Sequence, residues 1–172
     1  KQYEVFRNNP ALSVLGSYIK EFEEDMNAPI TMRKVPLTHT DILRYARKRN
    51  PINHMTVMMK KDAVIDSGNY KHASGFEDYY LWVRMMLEGH RFANYPEALV
   101  LVRGGRSMID RRKGVRYLVS EIDFFRKVYS LGFISGGQFL LNITLRAVVR
   151  MVPSCVREIV YRRALRNSVE YG

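Results

Sequence analysis

The sequence predicts an α/β fold, with a mixed sheet over its first two-thirds and a helical C-terminal extension after it. Three observations predict it. Short β-branched and aromatic runs alternate with segments of helical apolar spacing as far as residue 111. From Arg112 onward the spacing reads as helical throughout. The chain has 172 residues and is 47% hydrophobic, enough apolar material for a real core, so wholesale disorder is excluded. Residues 1–111 and 112–172 are accordingly expected to form two units. No internal repeat or low-complexity tract interrupts them.

The elements follow in order. Lys1 to Asn9 predicts a short helix ended by Pro10. Leu12 to Phe22, carrying Val14, Leu15, Tyr18 and Ile19, predicts a strand stopped by Glu23, Glu24 and Asp25. Ile30 to Pro36 predicts a second strand, antiparallel to the first, because the residue before a proline prefers extended backbone. Thr40 to Lys48 predicts a helix with Asp41 as N-cap or first-turn acid, and Asn50-Pro51 stops it. His54 to Met59 reads as a buried strand, and Ala63 to Asp66 as a short helix closed by Ser67-Gly68. Between Ser74 and Gly89, the residues Phe76, Tyr80, Val83 and Leu87 recur at helical spacing. Phe92 to Val102 predicts a strand interrupted at Pro96, followed by an Arg103-Gly104-Gly105-Arg106 loop. The helical remainder is expected to break at Gly132 to Gly137 and again at Pro153.

Charge and cysteine content narrow the chemistry. There are 28 Lys and Arg against 17 Asp and Glu, a formal net charge of +11, which points to polyanionic partners. Cys155 is the single cysteine, so a disulfide framework and a cysteine-based zinc site are both excluded, and a reducing compartment fits. No apolar run approaches the ~18 residues of a spanning helix. Lys1-Gln2-Tyr3-Glu4 has no signal-peptide character, and the lack of an initiator Met suggests a processed chain or a piece of something longer.

The segment richest in chemistry is Ser67 to Trp82. Glu77 and Asp78 fall in the first turn of a predicted helix, where the positive end of the macrodipole favours anions. By local pattern alone they are either ordinary first-turn acids or a working pair. Their surroundings resemble the C-terminal half of a family 2 glycosyltransferase of the GT-A, Rossmann-like fold. VLGSYIKEF (14–22) looks like the strand after the metal-binding segment of such enzymes. VPLTHTDI (35–42) and KRNPINHMTVMMKKDAV (48–64) look like the middle of the bacterial polysaccharide, capsule and O-antigen members, in particular amylovoran-type transferases. GFEDYYLWVRMMLEGHRFANYPEALVLVRGGRSMIDRRKG (75–114) looks like their catalytic helix, last core strand and basic loop. The ordered series covers nearly the whole chain.

That resemblance implies inverting transfer from a nucleotide sugar, such as a UDP-sugar, to a lipid-diphosphate-linked saccharide. Asp78 would be the general base on the acceptor hydroxyl, and Glu77 would orient the acceptor or the base. A divalent cation, Mn or Mg, is expected to help neutralise the leaving diphosphate. Its Asp-x-Asp ligands and the nucleotide-binding strands belong to a part of such enzymes expected before Lys1. No Asp-x-Asp occurs here, and Asp62 and Asp66 read as solvated, so no metal ligand is assigned in the chain. It therefore looks like an acceptor-side portion, inactive alone, with an exposed sheet edge prone to self-association.

Other features leave two readings each. Arg103, Arg106, Arg111, Arg112 and Lys113 form either a diphosphate-binding loop or a solvated basic one, with Arg103 and Arg106 the better candidates. His54 either lines an acceptor pocket or is structural, as expected of His39, His72 and His90. Trp82 and Tyr79 either stack on a sugar or join the core with Met55, Met58, Met59, Met85 and Met86. In the tail, Phe139, Leu140, Ile143, Ala147, Val148 and Met151 share helical spacing, with Arg146 and Arg150 to one side and Arg157 in a following helix. That pattern suits an anionic membrane surface or a packed helical hairpin. A cytoplasmic protein peripheral on the inner face of the plasma membrane is the expectation. The rivals are a non-catalytic membrane-binding module and a nucleic-acid-binding module. Against the latter, no zinc spacing, basic zipper or RNA-binding aromatic motif is present, so no nucleic acid is expected.

Overall fold

A computed structural model of the chain describes residues 1–104, 114–151 and 167–168. Its centre is β1 (Leu12–Phe22), buried along almost its whole length. A strand covered on both faces reads as a near-continuous apolar run, which LSVLGSYIKEF largely is. β4 (Arg91–Arg103) runs parallel to β1 along one edge, from Leu12↔Arg91 to Phe22↔Arg103. The other edge is shared by two short antiparallel strands, β2 (Thr31–Arg33) and β3 (Met58–Met59). The sheet is therefore mixed, and β1 and β2 pair antiparallel as expected. Among the described residues, β4 has no neighbour on its far edge.

β4 passes through Pro96 rather than ending there. Ser17 faces Tyr95 and Tyr18 faces Ala98, so Pro96 and Glu97 sit unpaired at an irregularity in register. Proline has no N–H to give to a ladder, so the irregularity is where a strand tolerates it.

Helices cover the sheet. α1 (Gln2–Asn8) is tied down by Gln2, whose amide donates to the carbonyls of Leu15 at 3.2 Å and Thr56 at 2.8 Å. α2 (His39–Ala46) is capped by Thr38, whose hydroxyl accepts from the Asp41 N–H, so Asp41 is a first-turn acid. α3 (Lys61–Asp66) leads into a loop and then α4 (Glu77–Leu87). α4 is buried nearly all round, from Tyr79 through Met86 with Tyr80 as the exception. On one side Trp82 meets Phe92 of β4 edge-on at 6.2 Å; on another Tyr79 meets Phe124 of α5 (Gly114–Ser130) at 4.5 Å. A helix apolar around its circumference must be enclosed, and here sheet and α5 enclose it. Phe124, Phe125 and Val128 lie in one continuous core with Val14, Ile42, Ile52 and Trp82. α6 (Gly136–Met151) packs back on α5 after the break at residues 131–135.

Two expectations are corrected. His54–Thr56 is a single 3₁₀ turn and only Met58–Met59 is strand, so residues 54–59 are not a buried strand. Met55 and Met58 project into solvent, 52% and 36% exposed, because the turn is held by Asn53 and Thr56 rather than by apolar burial. The segment after Arg112 is not wholly helical: β5 (Asn167–Ser168) adds an antiparallel pair to the outer edge of β2. The candidate residues Arg106, Arg111, Arg112 and Arg157, and the helix expected after Pro153, lie outside the described residues.

Candidate active site

Glu77 and Asp78 open α4 together, yet their carboxylates have different partners. The loop before them turns sharply: Ser74 and Gly75 both have positive φ, at 27° and 85°. The first is uncommon for a residue with a side chain, and the second is glycine's natural territory. Both Glu77 oxygens accept from the Gly75 N–H at 3.0 Å. Partial burial pushes the Glu77 carboxyl upward, but the backbone N–H groups of Glu77, Gly75 and Ala73, with His72 nearby, outweigh it and hold the group below its ordinary range. Glu77 is thus committed to closing its own turn.

Asp78 points elsewhere. Its Oδ2 accepts from Asn50 Nδ2 at 2.8 Å, and no other hydrogen bond reaches this side chain among the described residues. Half-buried at the helix start, one carboxylate oxygen is fixed and the other is open to accept. Tyr70 lies close by. Burial, and then the Asp78 charge, push its hydroxyl above the ordinary phenol range. Its ring meets His54 edge-on at 6.1 Å, and His54 in turn lies 6.1 Å from the Trp82 ring. Asn50, Asp78, Tyr70 and His54 form one constellation, with Tyr70 and His54 exposed and Asn50 and Asp78 half-buried. Chemically it offers a carboxylate held at one oxygen, a phenol within reach of its charge, and an imidazole against that phenol.

The loop bearing Tyr70 is anchored from below. Arg84, buried within α4, donates to the carbonyls of Ser67 and Asn69, and stacks 5.0 Å over Tyr80. Its burial, despite Tyr80 and Glu88, depresses the guanidinium's affinity for its proton. Lys127 of α5 donates to the His72 carbonyl at 3.1 Å, and Asn69 takes a left-handed φ of 58°.

Several expected site residues lie in structural roles. Trp82 is completely buried and Tyr79 is 3% exposed, so neither offers a face to a sugar. Tyr79 donates its hydroxyl to the Ala46 carbonyl at 2.5 Å, and burial pushes its ionisation far above the ordinary range. Arg146, expected beside a membrane surface, is engaged within the fold. It donates to the Lys48 carbonyl at 2.7 Å, pairs with Glu121 at 3.4 Å and lies 4.2 Å over the Phe125 ring. Its charge is spent on the exposed C-terminal carbonyl beyond α2. Arg150 lies in α6, but its side chain is outside the described set. Arg103 closes β4, exposed, and lies 5.5 Å over the Phe22 ring. His39 accepts from the Phe92 N–H at 3.2 Å, and His90 and His72 bond to Ser13 and Ser74.

Among the described residues no three His, Cys, Asp or Glu side chains converge to hold a metal ion. The residues that sequence reading missed are Asn50 and Tyr70. Asn50-Pro51 reads as a helix stop, and a partnership across 28 positions has no local signal. Tyr70 carries none beyond its place in the glycine-containing loop.

No family model and no solved structure matches the chain. Named proteins do. The chain is 36% identical over 166 residues to an amylovoran biosynthesis glycosyltransferase, AmsE, of Erwinia amylovora, covering 95% of this chain and 60% of that protein. It is 35% identical over 167 residues to an uncharacterized glycosyltransferase of Haemophilus influenzae, covering 97% and 62%. It is 32% identical over 159 residues to a UDP-Gal:alpha-D-GlcNAc-diphosphoundecaprenol beta-1,3-galactosyltransferase of Escherichia coli, covering 92% and 58%. The chain therefore spans about three-fifths of the length of these relatives, and it is similar to glycosyltransferases along almost all of its own.

Proposed function

We propose that the chain is the acceptor-side portion of an inverting, nucleotide-sugar-dependent glycosyltransferase of family 2 and the GT-A fold. The observation that carries the reading is Asp78: a carboxylate at the start of α4, held at one oxygen by Asn50, in a chain similar to glycosyltransferases. The acceptor is a lipid-diphosphate-linked saccharide in surface-polysaccharide synthesis. This draws support from the Escherichia coli relative, whose name specifies GlcNAc-diphosphoundecaprenol, and from the Erwinia relative's amylovoran.

In the proposed reaction the acceptor hydroxyl oxygen attacks the anomeric carbon of the donor. The O–H proton passes to the free oxygen of Asp78 as the new C–O bond forms. The bond from the anomeric carbon to the diphosphate breaks, and the nucleoside diphosphate leaves with the electron pair. Glu77 acts on this step by keeping the 73–78 turn closed, which fixes where Asp78 begins. The described residues do not fit the implied divalent cation, since no set of three His, Cys, Asp or Glu side chains converges among them. Cations for the leaving group would come from Arg103 and the basic residues that follow it in sequence.

The place of action is proposed as the cytoplasmic face of the membrane, peripherally. No helix among the described residues is long and apolar enough to cross a membrane. α6 leaves Leu140, Leu141, Leu145 and Val148 each more than half exposed, at helical spacing. Such a stripe suits a lipid surface. The test is transfer by the natural full-length polypeptide from a panel of UDP-sugars to a GlcNAc-diphosphate-lipid, with the anomeric configuration of the product read by NMR. Inverted product is expected. Retention, or no transfer across the panel, contradicts the reading.

A further inference from the structure

We infer that Asn50 is a positioning residue for the transfer, orienting the Asp78 carboxylate so that its second oxygen meets the acceptor hydroxyl; this rests on the reading of Asp78 as the base.

The geometry begins with the amide itself. Asn50 Oδ1 accepts from the Ile52 N–H at 3.2 Å, and Nδ2 donates to Asp78 Oδ2 at 2.8 Å. A backbone donor on one side and a carboxylate acceptor on the other admit only one orientation of the amide. Asn50 is the only group whose hydrogen bond fixes this carboxylate among the described residues. A first-turn aspartate with one directional donor is held about its side-chain torsions; without it the carboxylate is free to rotate.

Asn50 is itself held by an unbroken line of bonds to the central strand. Its carbonyl accepts from Arg33 Nη2 at 2.7 Å. Arg33 Nη1 donates to Asn53 Oδ1 at 2.7 Å, and Asn53 Nδ2 donates to the Ser17 carbonyl at 2.7 Å. Ile52 and Asn53 are fully buried. Gly16 of β1 lets this loop come so close: a Cβ there would stand 2.2 Å from Asn94 Oδ1 and 3.2 Å from Ile52. Asn94 in turn donates to the carbonyls of Pro36 at 2.6 Å and Pro51 at 3.1 Å. The position of Asp78 Oδ2 is therefore referred back to the sheet through β2 and the 50–53 loop.

The other polar groups near Asp78 are committed or too exposed to replace Asn50. Glu77 is bonded to Gly75, Tyr79 to Ala46, and Tyr70 stands in the exposed loop. Misplacing a reacting group by about 1 Å costs on the order of 100-fold in rate.

The experiment uses the natural full-length polypeptide, with the UDP-sugar that the wild type turns over and a GlcNAc-diphosphate-lipid acceptor. Asn50→Asp keeps the shape and the acceptor for Ile52, so the loop folds, but replaces the donor with a carboxylate facing Asp78. Asn50→Ala removes both. The expected result for both is a fall in kcat of about 10- to 100-fold, with the KM of the nucleotide sugar within about twofold of wild type. For Asn50→Asp the melting temperature stays within a few degrees. Wild-type kcat in Asn50→Asp, while Asp78→Asn is inactive, overturns the positioning role and leaves Asp78 as base. A KM rise that matches the kcat loss, or a melting temperature that collapses with it in Asn50→Asp, also overturns it. Full turnover by Asp78→Asn, or none by the wild type, removes the underlying reading and this inference with it.

Discussion

The Arg146 guanidinium donates to the Lys48 carbonyl at 2.7 Å, joining positions 98 residues apart. The same side chain pairs with Glu121 and covers Phe125. One residue thus ties α6 to the end of α2 and to α5. Arg146→Ala is expected to lower stability by about 1–3 kcal/mol, from the lost charged hydrogen bond and the cation–π contact. Liposome flotation of the folded variant should match wild type. Weaker flotation with an unchanged melting curve would restore a membrane role to this residue.

Tyr79 gives a second, smaller test. Tyr79→Phe leaves the buried Ala46 carbonyl without its partner and keeps the packing against Phe124. A loss of about 1–2 kcal/mol in chemical denaturation is expected, with the KM for donor and acceptor unchanged. A rise in acceptor KM at constant stability would show that Tyr79 reaches the sugar.

Arg84 supports the loop that carries Tyr70. Arg84→Met removes the donors to the Ser67 and Asn69 carbonyls while keeping much of the side-chain volume. Faster amide exchange across residues 67–76 is expected, with a stability loss of about 2–3 kcal/mol. Unchanged exchange in that loop would mean that its conformation is set locally, by Asn69 and Gly75.

Glu77 makes a pH prediction. Its carboxyl is held below the unfolded value, against the effect of its own partial burial, by backbone N–H groups, so it stabilises the fold when ionised. That contribution is present above the unfolded value near 4.5 and is lost as pH falls through the lower folded value. The gap in melting temperature between wild type and Glu77→Gln should be constant near neutrality and close below about pH 4. A gap independent of pH would place the effect of Glu77 in packing rather than charge.

Much of this architecture is legible from local pattern. β1 declares itself by a long run of residues suited to burial on both faces, and α4 by apolar spacing closed at Gly89, whose φ is 83°. The turn at His54–Thr56 escapes because Met55, Val57 and Met58 imitate a buried strand, while the bonds that fold it run through Asn53 and Thr56. β5 escapes because a two-residue edge pairing is decided by its distant partner, β2. In the site, the Glu77-Asp78 pair is visible as first-turn acids, but their division of labour is not. Glu77 turns back to Gly75 and Asp78 turns out to Asn50 because of backbone conformation and a loop 28 residues away. Aromatic content cannot separate Trp82, enclosed by the core, from Tyr70, left at the surface.

Asp78 as the general base is tested most directly by the turnover of Asp78→Asn in the natural full-length polypeptide, beside its affinity for the UDP-sugar. With Asp78 as the base, kcat falls by about 100- to 10,000-fold while donor affinity and melting temperature stay near wild type. Turnover within a few-fold of wild type would contradict it, and would move the base to another residue.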